Sequence, residues 1–373
     1  MSRPEPIRLL ELAGVPALRS QTVFHAAGYE MGTDGPDTIL LVTPGEPYVS
    51  IGFHQDPAVE LDLEACHELE LPVVRREVGG GAVYLDRGQV FCQWIFRADR
   101  LPASLAERFE LYARPLVETY RAFGIPAEYR PVNDIHVAGR KIGGTGAARI
   151  GEAEIMVGSL MFEFRPDLMA RVLRVSSEKM RDKVATALRD YVTSMSRELE
   201  SPPPREAVAR RYLEECAAAL GRPLEPGALS PAETRRAERL DRTMGSRAWT
   251  FQRRRRDLSG VKIHEDVHVH EGTHKAPAGL VRVTVVVRSG AIEDLSITGD
   301  FTLLPQAALD QVEAALRGLP ADPARVEEGL IAAYARLGVD APGLPPSEVA
   351  AAIGAALGSA APRVTGPSRV ADP

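Results

Sequence analysis

Apolar residues recur along the chain in two periods, and the switching between them predicts most of its elements. Alternating or unbroken apolar runs predict strands at 38–43 and 48–53, set apart by Pro44, Gly45 and Pro47. A helix is expected over 57–69, where Ala58, Leu61, Ala65 and Leu69 share one face. Short strands are read at 73–76, 82–85 and 90–96. Leu105, Phe109, Tyr112, Leu116 and Phe123 form a helical stripe that Gly124 ends. Pro115 inside that stripe predicts a kink or a late start, because proline lacks the N–H an inner helical position donates. Extended segments follow at 134–137, 141–143 and 155–164, then a helix at 166–175.

Beyond the break Ser201-Pro202-Pro203-Pro204, helices are expected over 205–220, packing back on the first domain, and over 231–244. From Trp249 the texture changes: alternating strands at 281–287 and 292–297 flank Ser289-Gly290, and helices at 305–316 and 324–337 complete a ββαα unit. The Ala/Gly/Pro-rich stretch after Gly343 reads as a flexible tail with at most one weak helix. Strands mixed with helices, without regular βαβ alternation, indicate an α+β chain.

A length of 373 residues makes two domains the natural expectation. The net charge of -6 argues against general nucleic-acid binding. No apolar run reaches membrane-spanning length and the N-terminal segment lacks a signal-peptide core, so a cytoplasmic location away from membranes is expected. Cys66, Cys92 and Cys216 are scattered without CxxC spacing, which provides neither a disulfide framework nor a zinc site; Cys66 and Cys92 read as buried small hydrophobes. The cations are mostly arginine. Lys141, Lys179, Lys183, Lys262 and Lys275 are the only lysines, and a lysine kept in such a chain can mark a need for a compact point charge.

Two glycine-rich constellations carry the candidate chemistry. In the first, Arg75, Arg76, Glu77 and Val78 precede Gly79, Gly80 and Gly81, with Ala82, Val83 and Tyr84 after them. Three glycines serve a tight turn or bulge. They also let backbone N–H groups approach a phosphate where no Cβ intervenes, and the neighbouring guanidinium forks match phosphate oxygens. In the second, a strand carrying Asn133 and Asp134 meets a turn at Ala138-Gly139, and the returning strand carries Lys141 into Gly143-Gly144-Thr145-Gly146. The segment is either a plain hairpin with a solvated ion pair or a nucleotide site. Asn133 and Asp134 offer oxygen ligands to ribose hydroxyls or magnesium, Asp134 being the possible Mg contact, and Lys141 offers charge where a carboxylate and an α-phosphate meet.

With those residues in view, the stretches RREVGGGAVYLDRGQ, NDIHVAGRKIGGTGAAR and GSLMFEF resemble the lipoate–protein ligase family of the biotin and lipoate ligase superfamily. PYVSIGFHQ, SSEKMRDKVATALRDYVTSM, SRAWTF and SGAIEDLSITGDF extend the resemblance over about residues 30–340, in order. It implies a biotin/lipoate ligase-like mixed sheet with flanking helices over 1–245, a small α+β accessory domain over 246–342 and a flexible tail over 343–373. It also implies activation of lipoate, or a close medium-chain analogue, with ATP and Mg to an acyl-AMP, followed by transfer to a lysine of a lipoyl-acceptor domain. The acceptor could be of the pyruvate-dehydrogenase type, a glycine-cleavage carrier protein, or a lipoate-binding protein of sulfur oxidation. Lys141 matches the family's catalytic lysine. Arg76, Gly79, Gly80, Gly81, Ala82, Val83 and Tyr84 would bind ATP and the adenylate with Asn133 and Asp134, and Asp182 and Lys183 match a loop implicated in adenylate binding. The chain departs from the family pattern at Leu85, where His is common, at Gln89, where Asn is usual, and at Met156-Val157-Gly158, where HHG is common. These departures bear on the acyl or acceptor surface rather than on the nucleotide.

Two other activities stay open: octanoyl transfer without ATP through a cysteine acyl-enzyme, and a non-catalytic sensor of acyl-adenylate or lipoyl domains. The related transferases of one type carry their cysteine just before the Asn-Asp pair, where this chain reads Ala127-Glu128-Tyr129-Arg130-Pro131-Val132. His264, His268, His270 and His274 make a zinc site conceivable, with a polar strand edge the preferred reading. Arg253, Arg254, Arg255 and Arg256 read as a solvated linker that could dock an acidic carrier.

Overall fold

The computed structural model describes residues 4–252 and 266–358. Its first elements are β1 (Ile7–Val15), α1 (Ala17–Glu30), β2 (Thr38–Pro44), β3 (Tyr48–Ile51), α2 (Pro57–Glu60), α3 (Leu63–Glu68), β4 (Val73–Arg75), β5 (Val83–Leu85) and β6 (Gln89–Arg97). The middle of the chain runs through α4 (Leu105–Ala122), β7 (Glu128–Arg130), β8 (Asp134–Val137), β9 (Arg140–Gly144), β10 (Gly146–Ile150), β11 (Ala153–Met161), α5 (Pro166–Val172), α6 (Glu178–Tyr191) and α7 (Met195–Glu198). Then come α8 (Arg205–Leu220), β12 (Leu224–Pro226), α9 (Pro231–Met244) and α10 (Arg247–Thr250). The C-terminal unit holds β13 (Val267–Ala276), β14 (Gly279–Arg288), β15 (Ala291–Gly299), α11 (Ala308–Leu316), α12 (Pro323–Leu337) and α13 (Pro346–Gly358).

The main sheet has the order β10-β11-β6-β2-β1-β12. β1 pairs in parallel with β2 and β12, and the other pairings are antiparallel, so the sheet is mixed. β6 lies in its middle and is buried on both faces, which is why its sequence is an almost unbroken apolar run. Its alternate residues serve two cores. Val90, Cys92, Trp94 and Phe96 pack with Phe109, Tyr112 and Leu116 of α4 and Tyr212 of α8. Phe91 and Ile95 face the other way, towards Phe24 of α1 and Val78. The helix expected over 205–220 does pack back on this domain.

Three expectations need correction, and one pair of elements was missed. The helix expected over 57–69 is two, because Leu61 is extended (φ -117°, ψ 146°) and Asp62 caps a new helix through Ala65 N–H. α4 starts at Leu105 under a Ser104 cap and runs through Pro115, so no late start occurs. The N-terminal pair β1 and α1 was not anticipated at all. Most consequentially, the one helix allowed after Gly343 is not a weak helix in a flexible tail: over residues 346–358, Val349, Ala352, Ile353 and Ala356 of α13 are buried in the core of the C-terminal unit. The small side chains that read as flexibility allow close approach, since a Cβ on Gly272 of β13 would meet the Ala356 nitrogen at 2.4 Å. Among the described residues no helix is long and apolar enough to cross a membrane.

The C-terminal sheet β13-β14-β15 is antiparallel, and its histidines lie on the edge strand β13. His268 and His270 rings are 6.3 Å apart, and His274 Nε2 lies 2.5 Å from Glu348 of α13. No group of three or more metal-ligating side chains occurs among the described residues. His264 and the four consecutive arginines from Arg253 lie outside those residues.

Candidate active site

The glycine turn joins β4 to β5, which flank β3 in a small sheet beside the main one. Its two arginines have separate tasks. Arg75 is fully buried and donates to the carbonyls of Gly52, Phe53, Gln55 and Thr250, so it ties the turn to its neighbours and to α10. The Arg76 guanidinium donates to Ser50 Oγ at 3.2 Å, Gly79 O at 3.0 Å and Gly81 O at 2.8 Å. Among the described residues no carboxylate pairs with it. Burial pulls its pKa down to about 10, which still leaves a cation at neutral pH.

Each glycine has its own reason. A Cβ on Gly79 would sit 2.6 Å from Phe301 O of the C-terminal unit, Gly80 has φ +90°, and Gly81 meets only ordinary contacts with Asp300. Gly80 N–H donates to Phe301 O at 3.1 Å, and the His54 ring stacks on Phe301 at 5.0 Å. The turn is therefore both a packed structural element and a wall of the cavity described next. Behind it, Glu77 N–H donates to His25 Nε2 at 3.1 Å, while His25 Nδ1 lies 2.6 Å from Gln21 O. With Nε2 accepting, Nδ1 carries the proton and the ring is neutral. Burial holds its pKa down at about 4.

The second constellation is the hairpin β8–β9, and its turn has Ala138 and Gly139 at positive φ as a tight hairpin requires. Asn133 Nδ2 donates to Thr145 O at 2.6 Å and Thr145 N–H returns a bond to Asn133 O at 2.8 Å, so Asn133 shapes the loop after β9. Lys141 Nζ is 2.7 Å from Asp134 Oδ1, with about a third of the lysine side chain exposed (34%). A Cβ on Gly144 would lie 3.0 Å from Lys141 Nζ, so the bare backbone there lets the lysine cross. Thr193 N–H donates to Lys141 O at 2.8 Å and anchors β9 to the segment after α6.

Both constellations open on one cavity of about 380 Å³. Its floor is one face of β6 and β11, with Gln89, Phe91, Gln93, Val157, Ser159 and Met161. Gln21 and Phe24 of α1 close one side, and Val83 and Tyr191 are lining residues left substantially exposed. Of the residues expected at the site, Arg76, Gly79, Gly80, Gly81, Ala82, Val83, Tyr84, Asn133 and Lys141 line it. Asp134 does not line it and reaches it only through Lys141; its other oxygen is 3.6 Å from His136 Nε2. Asp182 and Lys183 are exposed on α6 and are not brought to the cavity, which that helix touches through Leu188 and Tyr191 instead. Leu85, Gln89 and Val157, where the chain departs from the family pattern, all line it.

Sequence reasoning missed Gln21, Phe24 and Gln93. Gln21 and Phe24 could have been found from Pro16, which opens a helix, and the helical spacing from Ala17 to Gln21 and Phe24. No cysteine lines the cavity: Cys66, Cys92 and Cys216 are buried elsewhere. Burial pushes the Cys66 thiol up to about 11 and Cys216 to about 12, and raises Cys92 well above its usual value.

The fold recurs in known proteins. The chain resembles the bi-partite lipoate protein ligase of an archaeal lipoylation system from Thermoplasma acidophilum, with a TM-score of 0.61 at 21% identity over 68% of this chain and 99% of that one. It also resembles Plasmodium falciparum LipL1 in complex with lipoate, with a TM-score of 0.64 at 14% identity over 90% of this chain and 95% of that one. The fold is thus the lipoate ligase-like mixed sheet with flanking helices, an α+β architecture. Residues 21–217 match the model of the lipoyl protein ligase A/B catalytic domain, and residues 268–338 that of the bacterial lipoate protein ligase C-terminus. The chain belongs to the lipoyl protein ligase A/B family. Its relatives include an octanoyltransferase LipM from Kyrpidia tusciae, 27% identical over 58% of this chain and 88% of that protein, and lipoate–protein ligase 1 from Staphylococcus aureus, 25% identical over 79% of this chain and 84% of that protein. At family level it is a ligase or transferase of protein lipoylation.

Proposed function

We propose that this protein is an ATP-dependent, AMP-forming lipoate–protein ligase. The observation that carries the reading is the cavity's chemical inventory: two cations, Arg76 and Lys141, face it, and no thiol does. An acyl-enzyme route needs a nucleophile that can ionise beside the acyl group, whereas an adenylating route needs fixed positive charge and no protein nucleophile. A structure of lipoate–protein ligase A bound with ATP has the same fold, with a TM-score of 0.56.

In the first half-reaction a carboxylate oxygen of lipoate attacks the α-phosphorus of ATP, and pyrophosphate leaves with its electron pair. Magnesium bound with the nucleotide would add positive charge at its phosphates. Asp134 already holds Lys141, and an ion drawn to it would compete with that pair. Lys141 is suited to stabilise the charge that develops on the α-phosphate, and Arg76 to hold an anionic group against the glycine turn. In the second half-reaction the acceptor's lysine amine, deprotonated on attack, adds to the acyl carbonyl. The C–O bond to AMP then breaks and an amide remains. The same neighbourhood carries negative charge in both steps, so one lysine can serve each.

The acceptor is proposed to be a lipoyl-type domain, as the E2 lipoyl domain is for the Thermoplasma acidophilum system. Incubation with lipoate, radiolabelled ATP and a panel of apo acceptor domains tests the reading. Pyrophosphate release coupled to the mass shift of an acceptor is the expected result. Octanoyl transfer from a carrier thioester without ATP turnover would replace it with the transferase, and neither activity on any acceptor would favour the sensor.

A further inference from the structure

The hairpin that carries Lys141 also carries a buried histidine that takes no part in either half-reaction. Ile135, Val137 and Ile142 place one face of β8–β9 in the apolar cluster of β6 and α4. Asp134 and His136 alternate with Ile135 and Val137 and so share the other face, and the strand register sets Lys141 directly across from His136. His136 is only 1% exposed, and neither of its ring nitrogens has a hydrogen-bond partner among the described residues. Its Nε2 lies 3.6 Å from Asp134 Oδ2, just beyond a hydrogen bond, while Asp134 Oδ1 holds Lys141 Nζ at 2.7 Å. The Tyr191 ring stands edge-on to the histidine, with centroids 5.7 Å apart, and lines the cavity as Lys141 does.

A buried imidazole without partners destabilises the fold, and a phenylalanine or leucine would fill the same place without that cost. Its position sets it apart from a filler: one carboxylate stands between it and Lys141. As Lys141 turns towards an α-phosphate, its bond to Asp134 lengthens and leaves behind a carboxylate that is only 25% exposed. Parting an ion pair in such a place is opposed unless the remaining charge finds a donor. His136, with its proton on Nε2, is that donor. Once Lys141 lets go of Oδ1, the carboxylate can turn and close the remaining distance to form a charge-assisted hydrogen bond. Nδ1 gains no partner in either arrangement, so its cost is the same before and after and does not bear on the exchange.

Resting on the proposed adenylation, we propose that His136 is a positioning residue for Lys141: it takes over the Asp134 carboxylate as the lysine turns to the α-phosphate. The cation is then released without leaving a part-buried charge unpaired. His136 does not line the cavity and acts only through Asp134.

Lipoate-dependent pyrophosphate exchange on the full-length protein, with His136 and Asp134 changed singly and together, tests the hand-over. His136→Phe is expected to lower kcat about tenfold and to leave the KM for lipoate within about twofold. His136→Gln, whose amide N–H can reach the same carboxylate, should recover kcat to within about threefold of wild type. The melting temperature of His136→Phe should hold or rise, and His136→Leu serves where the larger ring overpacks the site. In the Asp134→Asn background His136→Phe should cost less than about twofold more, because no carboxylate is left to receive. A loss of the same size in both backgrounds would make the histidine a structural prop and overturn the inference, as would a wild-type kcat in folded His136→Phe or His136→Leu. The ring is also read without turnover, by the proton resonance of its Nε2–H. Saturation with the α,β-methylene analogue of ATP should move that resonance downfield in the wild type, and in Lys141→Ala it should already stand downfield with no nucleotide present. An identical resonance in wild type and Lys141→Ala overturns the inference. Absence of exchange in the wild type would sink the adenylating reading alone, because the comparison with Lys141→Ala needs neither ATP nor lipoate.

Discussion

The two loops that furnish the cations are built on opposite plans. Arg76 sits in a turn that is fixed from every side: Arg75 grips four backbone carbonyls, Gly79 touches the C-terminal unit, and Glu77 is bonded through its N–H to a neutral buried histidine. Lys141 stands on a short hairpin, a third exposed, with one carboxylate as its partner. The first plan keeps a cation in place before any ligand arrives, which removes reorganisation from the binding step. The second leaves a cation free to exchange one partner for another as charge moves. Changes in the glycine turn should therefore register mainly as stability, and changes in the hairpin as rate.

The largest effect expected is on rate. Lys141→Ala should lower pyrophosphate release by about 10²–10³-fold while leaving the melting temperature close to wild type. Lys141→Arg should not restore it, because the guanidinium is planar and larger than the point charge it replaces. Near-normal pyrophosphate release from folded Lys141→Ala would undo the assignment. A melting temperature that fell as far as in the glycine-turn variant below would erase the distinction between the two plans.

Gly79→Ala should do the reverse. Its Cβ would stand 2.6 Å from Phe301 O and 2.8 Å from Thr302 Cα, both backbone atoms with little room to yield. Overpacking of this kind costs about 2–3 kcal/mol, read as a lowered urea midpoint. The hydrogen bond from Gly80 to Phe301 should weaken with it, and amide exchange at residue 80 reports that directly. An unaltered midpoint would mean that the contact with the C-terminal unit gives way easily.

Acid sharpens the same contrast. His25 supports the glycine turn and not the hairpin, and burial sets its pKa at about 4 against an ordinary 6.5. The unfolded chain therefore takes up a proton that the folded chain refuses. Stability from this group is complete above pH 6.5 and is lost as pH falls towards about 4. Between pH 7 and 5 the loss is about 2 kcal/mol. Glu77, raised by its own burial, opposes the trend over the range between its raised value and the ordinary carboxylate value, so the His25→Gln comparison isolates the histidine. Denaturation of wild type and His25→Gln across that window measures it; equal slopes would remove His25 from the account.

Sequence periodicity revealed β6 and α4 but missed α1, whose residues from Ser20 to Gly28 are all buried and so show no stripe. β6 was legible as an apolar run, and α4 as a stripe of Leu105, Phe109, Tyr112 and Leu116. The site was legible where backbone chemistry constrains residue type, at the glycine turn and around Lys141. It was not legible at Gln93, since a glutamine in an apolar strand has no signature of its own until its neighbours across the sheet are known. Asp182 and Lys183 lie off the cavity because their helix meets it at its end, through Leu188 and Tyr191. α13 was misread because alanine and glycine signal looseness in composition but allow tight helix–strand contact at Gly272.

The smallest effect expected concerns Asp134, which the structure places beside Lys141 and not on the cavity wall. The pair is partly exposed on both sides, so breaking it should change stability by less than about 1 kcal/mol. Asp134→Asn keeps the shape and removes the charge that orients the lysine. Pyrophosphate release should then fall about tenfold, well short of Lys141→Ala, because the cation remains but is less often in position. Magnesium titration separates orientation from metal binding. If Asp134 only orients Lys141, the magnesium dependence of Asp134→Asn will overlay that of the wild type. A loss as deep as that of Lys141→Ala, relieved by raised magnesium, would instead make Asp134 a metal ligand and would mean that the hairpin binds ion and nucleotide together.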